Sequence, residues 1–591
     1  MRVQKPARYT GGELGSVTKE SAGTRVCFCF PDTYEIGMSH LGLQVLYGAA
    51  NAMDDVWCER AFAPWPDMEE GLRESGLMLP SLESGRALKD FDMLAFTLQY
   101  ELCYTNMLNM LELGGVPLRR ADRADRLPIV IAGGPCALNP APMSDFIDAF
   151  VIGDGEEVFC EILEVLRRNK TLGKEHILRE LASIGGVFVP EYPKNVTKRI
   201  VQDLDKAYYP VNPPVPNTEV VHDRVMLELF RGCIRGCRFC QAGYASRPVR
   251  ARSAEALVKQ GIAALDFSGC DELALTSLST SDYPELDRLC DELLEYCEPR
   301  RISLSLPSLR ADSFSRGLLE KVQKTRKSGL TFAPEAGSAR LRDVINKNLT
   351  EEDLLNACAL AFGGGWNSIK LYFMLGLPTE TDEDILGIAV LARKVYGVWR
   401  EHTPDRSRGA RVTVSASGFV PKPHTPFQWA RQDSAEELER KQRLLKSALP
   451  KQISFNYHDA KTSVLECVLA RGDRALGAAI LTAFRSGCRM DAWREYFDFG
   501  KWTDALKAYG LSVEKYTGAL DTEAATPWEN ISAGAGTGFL RREYERALAG
   551  VTTPDCRTAC AGCGADCRES AIHSPESPPA AEVEGQGIRH V

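Results

Sequence analysis

Long apolar runs are missing from this 591-residue chain. It has no stretch of about 18 uncharged apolar residues, so no membrane-spanning helix is expected. The opening segment, MRVQKPARYTGGELGSVTKE, lacks the apolar core of a secretory signal, so a cytoplasmic location is expected. An excess of positive charge is missing too. Lys and Arg number 71 against 80 Asp and Glu, for a net charge of −9. That excludes a global electrostatic drive toward nucleic acid and leaves only a local basic patch to look for. No internal repeat is present, so a repeat array is excluded.

What the chain has in quantity is cysteine. Nineteen occur, and seven of them form two clusters, 233/237/240 and 556/560/563/567. In a reducing compartment, clustered thiols mean metal or redox chemistry more often than disulfides. The scattered remainder, such as Cys27, Cys136 and Cys467, read as small buried hydrophobes. Hydrophobic content of 44% and charged content of 26% fit a soluble globular protein. The length is too great for one core and implies about three or four domains.

The pattern is α/β. TRVCFCF (24–30), MLAFTL (93–98), PIVIAGGP (128–135) and AFVIGDG (149–155) read as short buried strands separated by helical segments such as HLGLQVLYGAANAM (40–53) and EEVFCEILEVLRR (156–168). This predicts a Rossmann-like open parallel sheet over 1–205, with ligands at the strands' carboxyl ends. A proline-rich linker (206–222) follows. RVMLELFRGC (224–233), ELALTSL (272–278), ISLSLPS (302–308), LTFAPEAG (330–337), SIKLYFMLGLP (368–378) and VTVSASGF (412–419) then predict six βα units over 223–450. Six such units suit a partial (β/α)6 TIM-type barrel. Next come a smaller C-terminal α-rich accessory domain (451–550, with a helical segment expected at 493–510), the four-cysteine motif (551–570) and a tail (571–591) disordered by composition.

The first cluster reads Leu-Phe-Arg-Gly-Cys233-Ile-Arg-Gly-Cys237-Arg-Phe-Cys240, just past the first barrel strand and on the catalytic face of such a barrel. Gly232 and Gly236 let the backbone turn tightly. Three thiolates on one loop can hold three irons of a cubane and leave the fourth iron without a protein ligand. A zinc site would need a fourth ligand close by, and no Cys or His follows before Cys270.

The C-x3-C-x2-C loop, with Phe239 in the aromatic slot before the third cysteine, resembles the radical S-adenosylmethionine (SAM) superfamily. ALTSLSTSDYPEL, TFAPEAGSARLRDVINKNLTEED, GLPTETDED and FVPKPHTPFQW resemble one subfamily, radical SAM proteins with an N-terminal cobalamin-binding-like domain; its pattern spans nearly residues 1–567. The resemblance implies a [4Fe–4S] cluster on Cys233, Cys237 and Cys240, SAM on the open iron, and a one-electron reductant such as flavodoxin or ferredoxin. It places Phe239 beside the adenine, and Ser277 and Ser279 near the SAM amino group, where Ser-Leu-Ser replaces the usual Gly-Gly-Glu. Glu335 becomes a candidate for the SAM ribose or for substrate, and Gly376 and Glu380 for the fifth-strand turn near the adenine. Each has a plainer reading as loop structure; Gly376-Leu377-Pro378 makes a turn by itself.

IAGGPCALNP (131–140) and VIGDGEE (151–157) carry the resemblance of the N-terminal domain to cobalamin-binding Rossmann domains. Proteins that ligate cobalamin through histidine carry Asp-x-His-x-x-Gly after the first strand. Here the stretch is Asp32-Thr33-Tyr34-Glu35-Ile36-Gly37, with tyrosine in the histidine position. His40 is expected to cap a helix or to be a buried hydrogen-bonded group. Cobalamin without a histidine ligand and a domain that has lost cobalamin both stay open.

Cys556, Cys560, Cys563 and Cys567 offer four thiolates spaced C-x3-C-x2-C-x3-C. They suit a closed zinc site or an auxiliary iron–sulfur cluster, with zinc slightly favoured and metal-stapled termination of a domain as the plainest role. His424 in FVPKPHTPFQW is a candidate proton donor or substrate contact, or a structural residue of a rigid loop. Phe427 and Trp429 read as packing, Arg471 and Asp473 as an ion pair or pocket lining. RPVRARS (247–253) reads as a solvated helix start or, less simply, a contact for an anionic substrate or RNA phosphate. The expected activity is reductive cleavage of SAM to a 5′-deoxyadenosyl radical that modifies an unknown substrate, RNA (including ribosome-related RNA) or protein. The alternatives are a cobalamin-dependent methyl transfer and a non-catalytic iron–sulfur or zinc-binding scaffold.

Overall fold

The computed structural model describes residues 3–123, 126–307, 309–313, 317, 321, 329–404, 407 and 409–567; the tail 571–591 lies outside the described residues. The N-terminal sheet comprises β1 (Thr24–Phe30), β2 (Val56–Phe62), β3 (Met93–Thr97), β4 (Ile129–Gly133), β5 (Ala149–Val151) and β6 (Val187–Phe188). Their order is β2-β1-β3-β4-β5-β6, parallel throughout except between β5 and β6. Helices cover both faces, which is why the central strands are apolar almost without interruption. The strand order reverses between β1 and β3, so this sheet has its crevice at their carboxyl ends.

Strand β2 escapes a reading by apolar runs because Glu59 and Arg60 interrupt VWCERAF. In the fold both charges are buried and paired. Arg60 meets Glu13 at 2.8 Å and Glu83 at 2.7 Å, and Glu59 meets Arg25 at 3.1 Å.

After β7 (Val196–Thr197), the second α/β series supplies β8 (Val225–Glu228), β9 (Phe230–Arg231), β10 (Arg250–Ala251), β11 (Glu272–Thr276), β12 (Ser303–Ser305), β13 (Leu330–Glu335), β14 (Ser368–Leu375), β15 (Arg411–Gly418) and β16 (Ile453–Tyr457). Among the described residues they form two parallel sheets, β12-β11-β8 and β13-β14-β15-β16, and do not close a barrel; β9 and β10 make a small antiparallel pair. All six expected strands are present. A seventh, β16, extends the sheet into the stretch expected to begin the accessory domain; only Ile453 of its side chains is buried, so it carries no apolar signature. On β14, Ile369, Leu371, Phe373 and Leu375 are buried under the outer helices, while Lys370 and Tyr372 alternate onto the inner face.

The C-terminal α-rich region shares a core with the N-terminal sheet. Leu465, Val468, Leu469, Ile480 and Phe484 pack with Leu102, Met107, Leu108 and Leu111. The helical segment expected over 493–510 is shorter, Phe499–Lys507, because the Asp498 carboxylate caps it by accepting from Lys501 N at 3.1 Å. Trp493 instead sits edge-on to Trp65, ring centroids 4.9 Å apart. A last strand, β17 (Ile531–Ser532), pairs in parallel with β7. Among the described residues, no helix is long and apolar enough to cross a membrane.

Candidate functional site

The cysteine loop leaves the second sheet at β9. Gly232 has φ +91°, and a Cβ there would stand 2.7 Å from Pro248 O and 2.9 Å from Ser246 O, so only glycine passes this corner. A Cβ on Gly236 would meet Asn346 Nδ2 at 2.8 Å. The loop is bolted down between its thiols. Arg238 N donates to Ile345 O at 3.0 Å, Asn346 Nδ2 to Gly236 O at 3.1 Å and Tyr244 OH to Gly236 O at 3.2 Å. The buried Arg238 guanidinium bonds Glu543, Val344 O and Val551 O. Phe239, partly buried, packs against an apolar cluster that includes Ala336, Leu341 and Phe427.

Two thiols already accept backbone hydrogen bonds, Cys233 Sγ from Arg235 N and Cys240 Sγ from Gly243 N, both at 3.4 Å. Burial, together with the neighbouring Cys237, pushes the Cys233 thiol up to about 12 and the Cys240 thiol up to about 11. Protein alone therefore does not ionise them, and a bound metal must supply the compensating charge. Among the described residues no three His, Cys, Asp or Glu side chains gather as they would around a single ion. In a cubane each thiolate binds a different iron, so the relevant fit is the donor set: three soft thiols on a loop with amide donors to sulfur. That set suits a [4Fe–4S] cluster.

Facing Cys237 are groups that sequence reading did not find. Lys347 Nζ lies 3.2 Å from Glu335 Oε1. Burial works to lower the Lys347 pKa, but Glu335 and Cys237 together hold it above the ordinary value. Arg310 is likewise held high against burial, by Asp312 and Cys237. Glu335 itself sits at a register shift in β13 with φ +66°, so its side chain leaves the strand's regular alternation. Sequence proximity hinted only at Lys347, twelve residues on; Arg310 comes from another strand end.

Ser279 Oγ donates to Asp282 Oδ2 at 2.6 Å, and Ser277 Oγ stands 3.2 Å from Thr280 Oγ1. Asp282 is gripped by both arms of Arg235, at 2.7 and 3.0 Å. Glu380 turns inward. It accepts from Gly376 N at 2.7 Å and pairs with Lys441 at 2.9 Å, locking the turn where Gly376 has φ +85°. His424 is buried with φ +61°, and its Nε2 stands 3.0 Å from Leu138 O. Burial lowers its pKa to about 4. It lines a 490 Å³ cavity with Trp429, Trp528 and Arg541.

Two expectations are corrected. Arg471 and Asp473 do not pair with each other: Arg471 donates to Ala430 O and Gly518 O, and Asp473 holds Lys515. The RPVRARS arginines are neither solvated nor free for phosphate. Arg247, Arg250 and Arg252 are buried, with Arg247 on Arg235 O, Arg250 on Asp154 and Arg252 on Leu204 O. Buried backbone carbonyls and two carboxylates, Asp154 beside Arg250 and Glu228 3.7 Å from Arg252, absorb their charge, which a one-dimensional reading cannot see.

At the carboxyl edge of the N-terminal sheet, Tyr34 is buried. Its hydroxyl donates to Glu13 at 3.0 Å and accepts from Asn217 N at 3.1 Å, and its ring lies edge-on to Phe62. His40 caps the helix Leu41–Asn51, its Nδ1 accepting from Leu43 N at 3.1 Å. The edge is covered from the other domains: Trp493 donates to Asp32, and Lys422 pairs with Glu101 at 2.7 Å and Glu466 at 2.8 Å. These residues do not fit a corrinoid ligated by histidine.

Residues 42–190 match the family described as radical SAM proteins, N-terminal, and residues 227–392 match the radical SAM superfamily. An uncharacterised protein of Methanocaldococcus jannaschii is 30% identical over 515 residues, covering 86% of this chain and 98% of the relative. A tRNA-2-methylthio-N(6)-dimethylallyladenosine synthase of Lachnoclostridium phytofermentans is 23% identical over 215 residues, 34% of this chain and 46% of that protein. Among solved structures, the radical SAM methyltransferase TsrM from Kitasatospora setae, with cobalamin and a [4Fe–4S] cluster bound, is 14% identical, covers 70% of this chain and 79% of its own, and has a TM-score of 0.47. With kinship over 86% of its length and a superfamily match that spans the cysteine loop and the five strands β10 to β14 after it, the chain belongs to the radical SAM superfamily of enzymes.

Proposed function

We propose that this chain cleaves SAM reductively at a [4Fe–4S] cluster on Cys233, Cys237 and Cys240 and directs the product radical onto an RNA or protein substrate. The carrying observation is that three thiols sit on one rigid loop, near enough for Cys237 to hold the Lys347 and Arg310 cations, with Glu335 3.2 Å from Lys347. When bound, the cluster supplies one electron that breaks the SAM sulfonium bond and leaves a 5′-deoxyadenosyl radical. The chain's own part is positioning. Lys347 and Arg310 present cationic donors suited to the methionyl carboxylate, and Glu335 presents an acceptor for an ammonium or a ribose hydroxyl. Phe239 offers an apolar face for the adenine. Lys370, whose Nζ donates to Tyr372 OH at 2.7 Å, and Tyr372 line the inner face of β14, where substrate would enter. The electron comes from a low-potential carrier of the flavodoxin or ferredoxin kind.

Group transfer to RNA is the reaction class to test first, because the relatives whose names specify a reaction include tRNA methylthiotransferases. The experiment is anaerobic reconstitution, reduction with dithionite and detection of 5′-deoxyadenosine and methionine by mass spectrometry, with and without tRNA. Wild type should form both and C237A neither. A fully loaded cluster that cleaves no SAM with any reductant would support the scaffold reading instead.

A further inference from the structure

The four-cysteine motif repeats the spacing of the first loop. Cys556-x3-Cys560-x2-Cys563 has the C-x3-C-x2-C pattern of Cys233, Cys237 and Cys240, and Cys567 adds a fourth thiol. The fold brings the two copies together. Cys556 N donates to Ile234 O at 3.1 Å, inside the first loop. Arg235 of that loop reaches Asp555 at 3.2 Å, and Arg557 donates at 3.3 Å to the Asp282 carboxylate that Arg235 grips. Arg247 stands between them: its Nη2 donates to Arg235 O at 2.9 Å, while its charge lies beside Cys556 and Cys563. The second loop is itself shaped. Gly562 and Gly564 have φ +66° and +89°, and Cys563 O accepts from Gly536 N at 2.9 Å.

We propose that Cys556, Cys560, Cys563 and Cys567 ligate a second iron–sulfur cluster of the cubane type, docked on the loop that carries the first. Four thiolates leave no open iron, so this centre does not bind SAM and acts as a one-electron relay. Cys560 is exposed, whereas the first loop is largely enclosed, so the second centre is the one a protein carrier can approach. In the relay step a reduced ferredoxin- or flavodoxin-class carrier loses one electron, the second cluster gains it and passes it to the first, and no bond or proton changes place. The relay rests on the function proposed above; the ligand assignment does not.

Iron, sulfide and zinc are measured on the anaerobically purified full chain, together with Mössbauer and EPR spectra. Wild type should hold about eight irons and eight sulfides, and C233A/C237A/C240A and C560S/C563S/C567S about four of each. One zinc and no iron in the first-loop variant overturns the assignment, as does a metal-free second loop. Because these counts do not depend on SAM cleavage, an enzyme that fails to cleave SAM still reports on the second site. C567S alone, the mildest change, should keep the far-UV circular dichroism of wild type yet shift the EPR signal of the second cluster; an unchanged signal overturns Cys567 as a ligand. For the relay, the second-loop variant should cleave SAM within about twofold of wild type with dithionite but at least about tenfold more slowly with reduced flavodoxin. Equal rates with flavodoxin, or equal loss with both reductants, overturn the relay.

Discussion

His424 offers a prediction that separates catalysis from architecture. Its ring is buried, one nitrogen faces Leu138 O, and burial lowers its pKa from 6.5 to about 4. At pH 7 only about one molecule in a thousand then carries the imidazolium, so His424 is poorly placed to act as a general acid. The same shift makes stability depend on pH. Between pH 6.5 and 4 the unfolded chain binds a proton that the folded one refuses, so this contribution is complete above 6.5 and is lost as pH falls toward 4. The full window is worth about 3 kcal/mol, and the drop from pH 6.5 to 5 about 2 kcal/mol. Asp491 acts in the opposite sense. Burial raises its pKa from 3.8 to about 6 although Thr105 and Trp502 donate to it, so acidification below pH 6 relieves a penalty of about 3 kcal/mol in all. The two groups largely offset each other in wild type. H424Q, whose amide can still donate to Leu138 O, should therefore lose about 2 kcal/mol less than wild type on going from pH 6.5 to 5, read from urea midpoints of the metal-free chain. D491N should lose more than wild type, and H424Q should still form 5′-deoxyadenosine once reconstituted. An unchanged acid response in H424Q, or a folded, iron-loaded H424Q that makes no 5′-deoxyadenosine, would refute this reasoning.

K347M should bind SAM at least about tenfold more weakly in anaerobic equilibrium dialysis at unchanged iron content, and E335Q should weaken it less, since its amide still accepts a hydrogen bond. An unaltered dissociation constant in both variants removes these residues from the SAM site. R235A leaves the 1%-exposed Asp282 without its bidentate partner and should cost about 3–5 kcal/mol in urea unfolding, with R235K intermediate. Cob(II)inamide, which lacks cobalamin's own nitrogenous base, should give no nitrogen-split EPR signal when added to the purified chain, because Tyr34 and His40 are both engaged internally; such a splitting contradicts that.

The cysteine triplet, its position after a strand and the five strands that follow were legible because each depends on local order: ligand spacing, apolar runs, and glycine where a turn needs it. Two of the strands that escaped notice, β2 and β16, lack an apolar run, the first because its charges are paired at long range and the second because it lies at a sheet edge. Lys347, Arg310, Asp282 and Arg235 carried no signal for a related reason: a charge reads the same whether solvated or paired. The basic run 247–253 shows the reverse error, a seemingly open patch whose arginines are spent on interior oxygens.

The amino-acid sequence by itself determined the chemistry available to this protein, because cluster-binding thiols must sit close together on one loop and their spacing survives in one dimension. Only the tertiary structure decided which groups face that loop, and that the second cysteine copy, more than 300 residues away, is hydrogen-bonded to the first. Those facts depend on how strand ends and a C-terminal loop converge in space, which no local pattern encodes.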